Sequence, residues 1–123
     1  MNTQEMYERD NHMCLACGTS RDLTTQHRIN RQAGGVHGDA AGVAERASAR
    51  ITLCLGCNRA LEADARFART GRQNGWKLEH HEDPTKVAVY VVAFREWRQL
   101  DDDGSYRIVD DRDPQDMTWD VAA

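Results

Sequence analysis

The chain has 123 residues, with 40% hydrophobic and 29% charged residues and a net charge of −4, values that predict one ordinary soluble domain. The mean hydropathy is −0.75 and aromatic residues make up only 7%, so we expect a thin hydrophobic core. No apolar run approaches about 18 residues and residues 1–5 lack the features of a signal peptide, which excludes a membrane protein and predicts a cytoplasmic one.

The first half of the chain predicts two short strands separated by a long loop. Residues 1–13 form a polar segment with a short helix around Glu5–Arg9. Strands are expected at Arg21–Gln26 and at Arg50–Leu53, where β-branched and leucine residues occur. The intervening segment, His27–Ala49, contains several glycines and few large apolar residues. A loop of this length without secondary structure in a small domain is usually either functional or a wrong assignment.

The second half predicts one helix followed by a small antiparallel β-structure. The helix extends from Asn58, a plausible N-cap, to about Thr70, and ends before Gly71. Further strands are predicted at Trp76–Glu79, Lys86–Phe94, Arg95–Leu100 and Tyr106–Val109, with a hairpin turn at Asp102–Ser105. This pattern indicates an α+β chain with four parts: an N-terminal segment (1–13), a core (14–73), a C-terminal β extension (74–109) and an acidic tail (110–123).

The four cysteines form two pairs of identical spacing, Cys14 with Cys17 and Cys54 with Cys57. Two residues between thiolates allow a tight turn to direct both sulfurs at one ion, and two such turns complete a tetrahedral Zn²⁺ site with no open position. A structural zinc ion would also supply folding free energy that a thin core lacks. The alternatives are a redox motif in one pair or four unrelated buried cysteines.

Charge is distributed unevenly along the chain. Residues 21–77 contain ten Lys and Arg residues against five acidic ones, whereas residues 82–123 contain five basic and eleven acidic ones. The middle of the chain therefore suits contact with phosphates and the end does not. A solvated helix face with an acidic tail explains the same pattern.

Several segments resemble motifs of one family, in the family's order. The run Gln26–Gly35 is similar to the HHRxxRxxGG segment of HNH endonucleases, in particular the small zinc-containing HNH proteins of actinobacterial bacteriophages. The run Ile51–Asn58 resembles the LxLCxxCH segment of that family. The pairs Gly75-Trp76 and Asp83-Pro84 and the run Asp101–Gly104 resemble its GW, DP and LDDDG motifs. The resemblance implies a zinc-stapled ββα-metal core and covers Cys14 to about Tyr106.

The resemblance also implies roles for individual residues. His27 matches the general base, which takes a proton from the attacking water. Gln26, Asn58 and Asp64 match the positions that hold a catalytic divalent ion, and their oxygen atoms suit Mg²⁺ or Mn²⁺. The side chains expected to contact DNA are Arg28, Arg31 and Arg59. The implied setting is phage DNA processing, with the packaging terminase as a possible protein partner.

The chain also departs from the family pattern, and these departures leave two functions open. No imidazole remains at the three metal positions, and the asparagine that braces the histidine loop is replaced by Ala49. One hypothesis is a metal-dependent DNA endonuclease with altered ligands. The alternative is a catalytically decayed scaffold that serves as a zinc-structured DNA- or protein-binding module, with a thiol redox protein as a third class.

Overall fold

The protein has a small α+β fold, seen here in a computed structural model that describes residues 1–30, 42 and 45–110. Within that range three α-helices occur: α1 (Thr3–Arg9), α2 (Leu55–Ala63) and α3 (Ala65–Gln73). The strands are β1 (Leu23–His27), β2 (Arg50–Cys54), β3 (Val89–Val91), β4 (Glu96–Leu100) and β5 (Tyr106–Val109). Most of the predicted loop, with Arg31, and the acidic tail after Asp110 lie outside the described residues. None of the described helices is long and apolar enough to cross a membrane.

Two antiparallel sheets form the β-structure. Strands β1 and β2 pair with Gln26 opposite Ile51 and His27 opposite Arg50. In the second sheet β4 lies between β3 and β5, and the predicted β4–β5 hairpin is confirmed.

The strand predicted at Trp76–Glu79 is wrong, and the strand predicted at Lys86–Phe94 is confirmed only in part. The backbone N–H groups of Trp76 and Lys77 donate to the Gly71 carbonyl at the end of α3, so they are not available to a sheet. Leu78 instead makes a single parallel bridge with Ile29. Only Val89–Val91 pairs as a strand, because a 3-10 turn at Val92–Phe94 follows and Arg95 reverses the chain with φ of 51°.

The predicted single helix is two helices that meet at Asp64. Helix α2 begins at Leu55 rather than at Asn58, with Cys54 as its N-cap. Asp64 is extended, and its Oδ1 accepts hydrogen bonds from the backbone N–H groups of Arg66 and Phe67, which starts α3. Helix α3 continues through Gly71 to Gln73. A Cβ at Gly71 would lie 2.4 Å from a Leu61 methyl carbon, so this glycine allows the two helices to pack closely.

The segments predicted as core and extension share one hydrophobic core. Ile51 and Leu53 of β2 and Leu61 of α2 pack with Trp76 and with residues of the second sheet. The other members of this cluster are Cys14, Leu15, Val89, Val91 and Leu100. The boundary at residue 74 therefore does not separate two packing units.

The N-terminal segment is docked on β2 rather than being only a polar extension. Arg9 forms a buried bidentate ion pair with Asp10 and also donates to the carbonyls of Ala47 and Arg50. Asp10 in turn accepts the backbone N–H of Thr52 at 2.9 Å. Because every partner is buried or partly buried, these charge-assisted hydrogen bonds fix α1 against the first sheet.

Arg28 is completely buried and connects four carbonyl groups from separate parts of the chain. Its Nε donates to Gly75 O at 2.7 Å, and its Nη1 donates to Ser48 O and Pro84 O at 2.7 and 2.9 Å. Its Nη2 donates to Val87 O at 2.6 Å. Burial lowers the pKa of Arg28 to about 9, with repulsion from Arg9 adding to the effect, so the guanidinium is still charged at neutral pH.

Gly75 provides one of these carbonyls at a position that only glycine can occupy. Its φ is +77°, and a Cβ would lie 2.0 Å from the Ala88 carbonyl oxygen. The turn therefore brings the Gly75 carbonyl to Arg28 and lets the following Trp76 enter the core, where its indole N–H donates to Tyr90 O.

The role of Arg28 can be tested by substitution. Arg28→Met should lower the free energy of unfolding by at least about 3 kcal/mol, because four buried carbonyls lose a charged donor. Arg28→Lys should recover part of the loss. Urea denaturation measures both, with Arg69→Met on the exposed face of α3 as the control, expected within about 0.5 kcal/mol of wild type. Wild-type stability in Arg28→Met would contradict this role.

Candidate functional site

The four cysteines converge into one cluster, as their spacing predicts. Their sulfur atoms all lie within 4.8 Å of one another, and the Sγ atoms of Cys17 and Cys54 are 3.8 Å apart. A tetrahedral zinc ion with Zn–S bonds of about 2.3 Å would separate its sulfur ligands by about 3.8 Å. All four are free cysteines, so the cluster could hold a metal ion such as zinc.

Local backbone structure brings each pair of sulfurs together. In the first pair, Gly18 N–H donates to Cys14 O, and Gly18 has a φ of +83°, which closes the turn. In the second pair, the Cys54 sulfur accepts the backbone N–H of Cys57 and so caps helix α2. The same residue therefore ends β2, starts α2 and contributes a sulfur to the cluster.

The closeness of the thiols changes their acidity. A hydrogen bond from Cys57 outweighs desolvation and lowers the pKa of Cys14 to about 5. The pKa of Cys57 is raised, mainly by the same hydrogen bond and then by burial. Burial raises the pKa of Cys17 to about 11. The Cys14–Cys57 hydrogen bond thus favours the thiolate on Cys14 and the thiol on Cys57, and a bound cation would favour the thiolate form of its cysteine ligands.

A polar cavity of about 220 Å³ lies between the first sheet and helix α2. We call it the His27 cavity. Its lining includes Gln26, His27, Arg28, Asn30, Asn58, Glu62 and Lys77. Four residues singled out in the sequence therefore lie at one site, although 30 or more positions separate Asn58 from the other three, Gln26, His27 and Arg28.

His27 is at the last position of β1, where its imidazole is part-exposed in this cavity. Its Nε2 lies 3.3 Å from a carboxylate oxygen of Glu45. A carboxylate at this distance can orient the ring and select the tautomer with the proton on Nε2. Ala49, the position where the family pattern has its bracing asparagine, is buried in the protein. Glu45 is the acidic residue beside the imidazole, and no sequence motif indicated it.

Asn58 connects helix α2 to β1. Its amide nitrogen donates to Thr24 Oγ1 at 2.9 Å and to Thr25 O at 3.2 Å. These bonds leave the amide oxygen as the atom suited to a ligand. Gln26 is 5% exposed, and its amide nitrogen lies 3.4 Å from Trp76 O, at the inner end of the cavity.

Glu62, and not Asp64, is the acidic residue of α2 that faces the cavity. Glu62 is four residues after Asn58, one helical turn, and therefore lies on the same helix face. Asp64 is exposed at the helix break, where its carboxylate caps α3. The sequence prediction for Asp64 assumed that one helix continued from Asn58 beyond this position. An i, i+4 search from Asn58 would have found Glu62.

The three arginines expected to contact DNA differ in position. Arg28 is 0% exposed and its guanidinium donates to four backbone carbonyls, so it does not reach a phosphate in this fold. Arg59 is exposed on α2. Arg31 lies outside the described residues.

Comparisons with family models, curated proteins and solved structures give no match for this chain.

The cysteine cluster predicts one bound zinc ion per chain. Native mass spectrometry of the wild type should show this ion, and Cys57→Ser should lose it because three thiolates bind zinc far more weakly than four. Removal by a chelator should lower the melting temperature, since the binding free energy of such a site contributes to folding. Ala16→Ser, within the first cysteine turn, is the control and should keep its zinc. A metal-free wild type with four freely alkylated thiols would refute the site.

Proposed function

We propose that this protein is a metal-dependent DNA endonuclease that hydrolyses phosphodiester bonds with His27 as general base. The observation that carries the proposal is the shared cavity of His27 and Asn58. The order β1, β2, α2, with a histidine at the end of the first strand and a polar ligand on the helix, is the order of a ββα-metal core. The motif resemblance supports the same assignment, and phage DNA processing with a terminase partner is the setting it suggests.

The polar groups of the His27 cavity suit hydrolysis of a phosphodiester. With Nε2 held by Glu45, Nδ1 of His27 takes a proton from a water molecule. The water oxygen bonds to phosphorus as the bond from phosphorus to the 3′ oxygen breaks. The 3′ oxygen then takes a proton from solvent, which leaves a 5′ phosphate and a 3′ hydroxyl.

The cavity also offers oxygen ligands for a divalent cation. The Glu62 carboxylate and the amide oxygens of Asn58 and Gln26 are hard donors, which suit Mg²⁺ or Mn²⁺. A cation held there would stabilise the charge on the pentacovalent phosphate and on the leaving oxygen. One carboxylate among three ligands implies weak affinity, so we expect the cation to bind together with the substrate phosphate.

A zinc-structured binding module is the second candidate. The observation that favours it is the ion pair between Lys77 and Glu62, in which the Nζ and Oε1 atoms are 4.0 Å apart. In this pair the Glu62 carboxylate, the acidic ligand that a catalytic cation would require, is already bound to Lys77. Such a module would bind DNA through exposed arginines such as Arg59, or bind a protein partner, without cleavage.

Plasmid nicking separates the two candidates. Zinc-loaded wild type should nick supercoiled DNA with Mg²⁺, Mn²⁺ or Ni²⁺, and His27→Ala should lose at least about 100-fold in rate. Glu62→Gln should need at least about tenfold more divalent ion. Asp64→Asn is the matched control: asparagine also caps a helix, so its activity should equal that of wild type. If the protein binds DNA but nicks it with none of these ions, the result would favour the zinc-structured binding module.

Glu45 should act as a positioning residue for His27. Glu45→Gln removes the charge that orients the imidazole and stabilises its protonated form, so kcat should fall by about tenfold or more with little change in KM. Glu79→Gln, at an exposed carboxylate paired with Arg72, should leave both constants unchanged. Equal kcat values for Glu45→Gln and wild type would exclude this role.

A further inference from the structure

Besides Arg28, Lys77 contributes a cationic side chain to the lining of the His27 cavity. Its neighbours Trp76 and Leu78 are buried in the protein. The Leu78 N–H donates to Arg28 O at 2.6 Å, which holds this segment beside the end of β1. Lys77 lies between these two buried residues, and its part-exposed side chain lies beside Glu62 in the lining of the cavity.

The contacts of Lys77 within the protein are long. Its Nζ lies 3.5 Å from Leu61 O and 4.0 Å from the Glu62 carboxylate, and its side chain is 21% exposed. Ammonium groups in strong charge-assisted hydrogen bonds approach oxygen to about 2.7–2.9 Å. The ammonium group therefore has capacity for a closer anionic partner, and its four-carbon stem allows it to move toward one.

The cavity also needs a cation at this position if a phosphodiester is to enter it. Arg28 is buried and bonded to carbonyls, so it does not offer its charge to a ligand. Among the described residues that line the cavity, Lys77 is the remaining side chain with a permanent positive charge. The other polar groups of the lining include the amides of Asn30 and Asn58, which carry no charge.

We propose that Lys77 binds a non-bridging oxygen of the scissile phosphodiester. Lys77 exchanges its ion pair with Glu62 for the phosphate, which would leave the Glu62 carboxylate available to hold a divalent cation. The ammonium group stabilises the additional negative charge that the phosphate acquires as water attacks. Its part in cleavage rests on the proposed endonuclease function, whereas phosphate binding by Lys77 does not.

A binding experiment tests the phosphate contact independently of cleavage. The probe is thymidylyl-thymidine, a dinucleotide with a single phosphodiester, titrated into zinc-loaded full-length protein without added divalent ion and followed by NMR. Wild type should show shifts at His27, Asn58 and Lys77. Lys77→Gln should bind at least about fivefold more weakly, and Lys77→Arg should recover most of the affinity. Lys86→Gln, an exposed lysine outside the cavity, is the matched control. Equal affinity of Lys77→Gln and wild type, or shifts only outside the cavity, would overturn the proposal.

A kinetic experiment tests the role in cleavage. With Mn²⁺ and a plasmid substrate, Lys77→Gln should lower kcat by about 100-fold. KM should rise by a smaller factor, because the contact between Lys77 and the phosphate strengthens in the transition state. An unchanged kcat would overturn the catalytic part. If wild type binds the dinucleotide through Lys77 and cleaves no DNA with any ion, the endonuclease function fails and the phosphate site remains.

Discussion

The buried guanidinium of Arg28 is the constraint on which the architecture of the cavity depends. Its side chain bonds carbonyls at Ser48, Gly75, Pro84 and Val87, while its own backbone bonds Ala49 and Leu78. A charged donor that is removed from water must find acceptors, so these segments cannot separate without leaving a buried charge unsolvated. Two residues of the His27 cavity are direct neighbours of this network along the chain: His27 precedes Arg28, and Lys77 precedes Leu78.

The cysteine cluster constrains the opposite wall of the same cavity. Cys54 ends β2 and caps α2, and Cys57 immediately precedes Asn58. The close approach of the four sulfurs fixes the orientation of the first turn of α2 relative to β1. In that orientation the Asn58 amide nitrogen donates to Thr24 and Thr25. A thin core leaves these positions dependent on polar contacts and sulfur clustering more than on apolar burial. Stability and site geometry therefore have common causes in this protein.

The cavity contains few formal charges, which shapes the chemistry it can support. Among the described residues that line it, Glu62 and Lys77 form a weak pair, and the guanidinium of Arg28 is bonded to backbone carbonyls. His27 lies beside Glu45, which is outside the lining. In the proposed endonuclease, a phosphodiester and a divalent cation would each take one partner of the Glu62–Lys77 pair. A charged substrate would then bind where the ion pair of the protein itself is weak.

Local signals in the sequence were enough to predict many of the individual elements. The cysteine spacing predicted one sulfur cluster, and the pattern of the chain predicted α1, β1, β2 and the β4–β5 hairpin to within a few residues. These features depend on contacts between near neighbours or on a distinctive ligand spacing. The same signals placed His27 at the end of a strand, whereas Asn58, predicted as a helix N-cap, lies inside α2 because Cys54 caps that helix.

Which polar residues lie close together depends on the tertiary structure. Arg28 has the sequence context of a phosphate-contacting residue, yet it is buried because four distant carbonyls surround it. Asp64 leaves the site because its carboxylate caps a new helix, and Glu62 takes the position facing the cavity. Glu45 lies beside His27 and Lys77 lines its cavity, but no periodic pattern in the sequence links either segment to His27. Long-range hydrogen bonds and burial set these positions, and neither is encoded in the spacing of the residues along the chain.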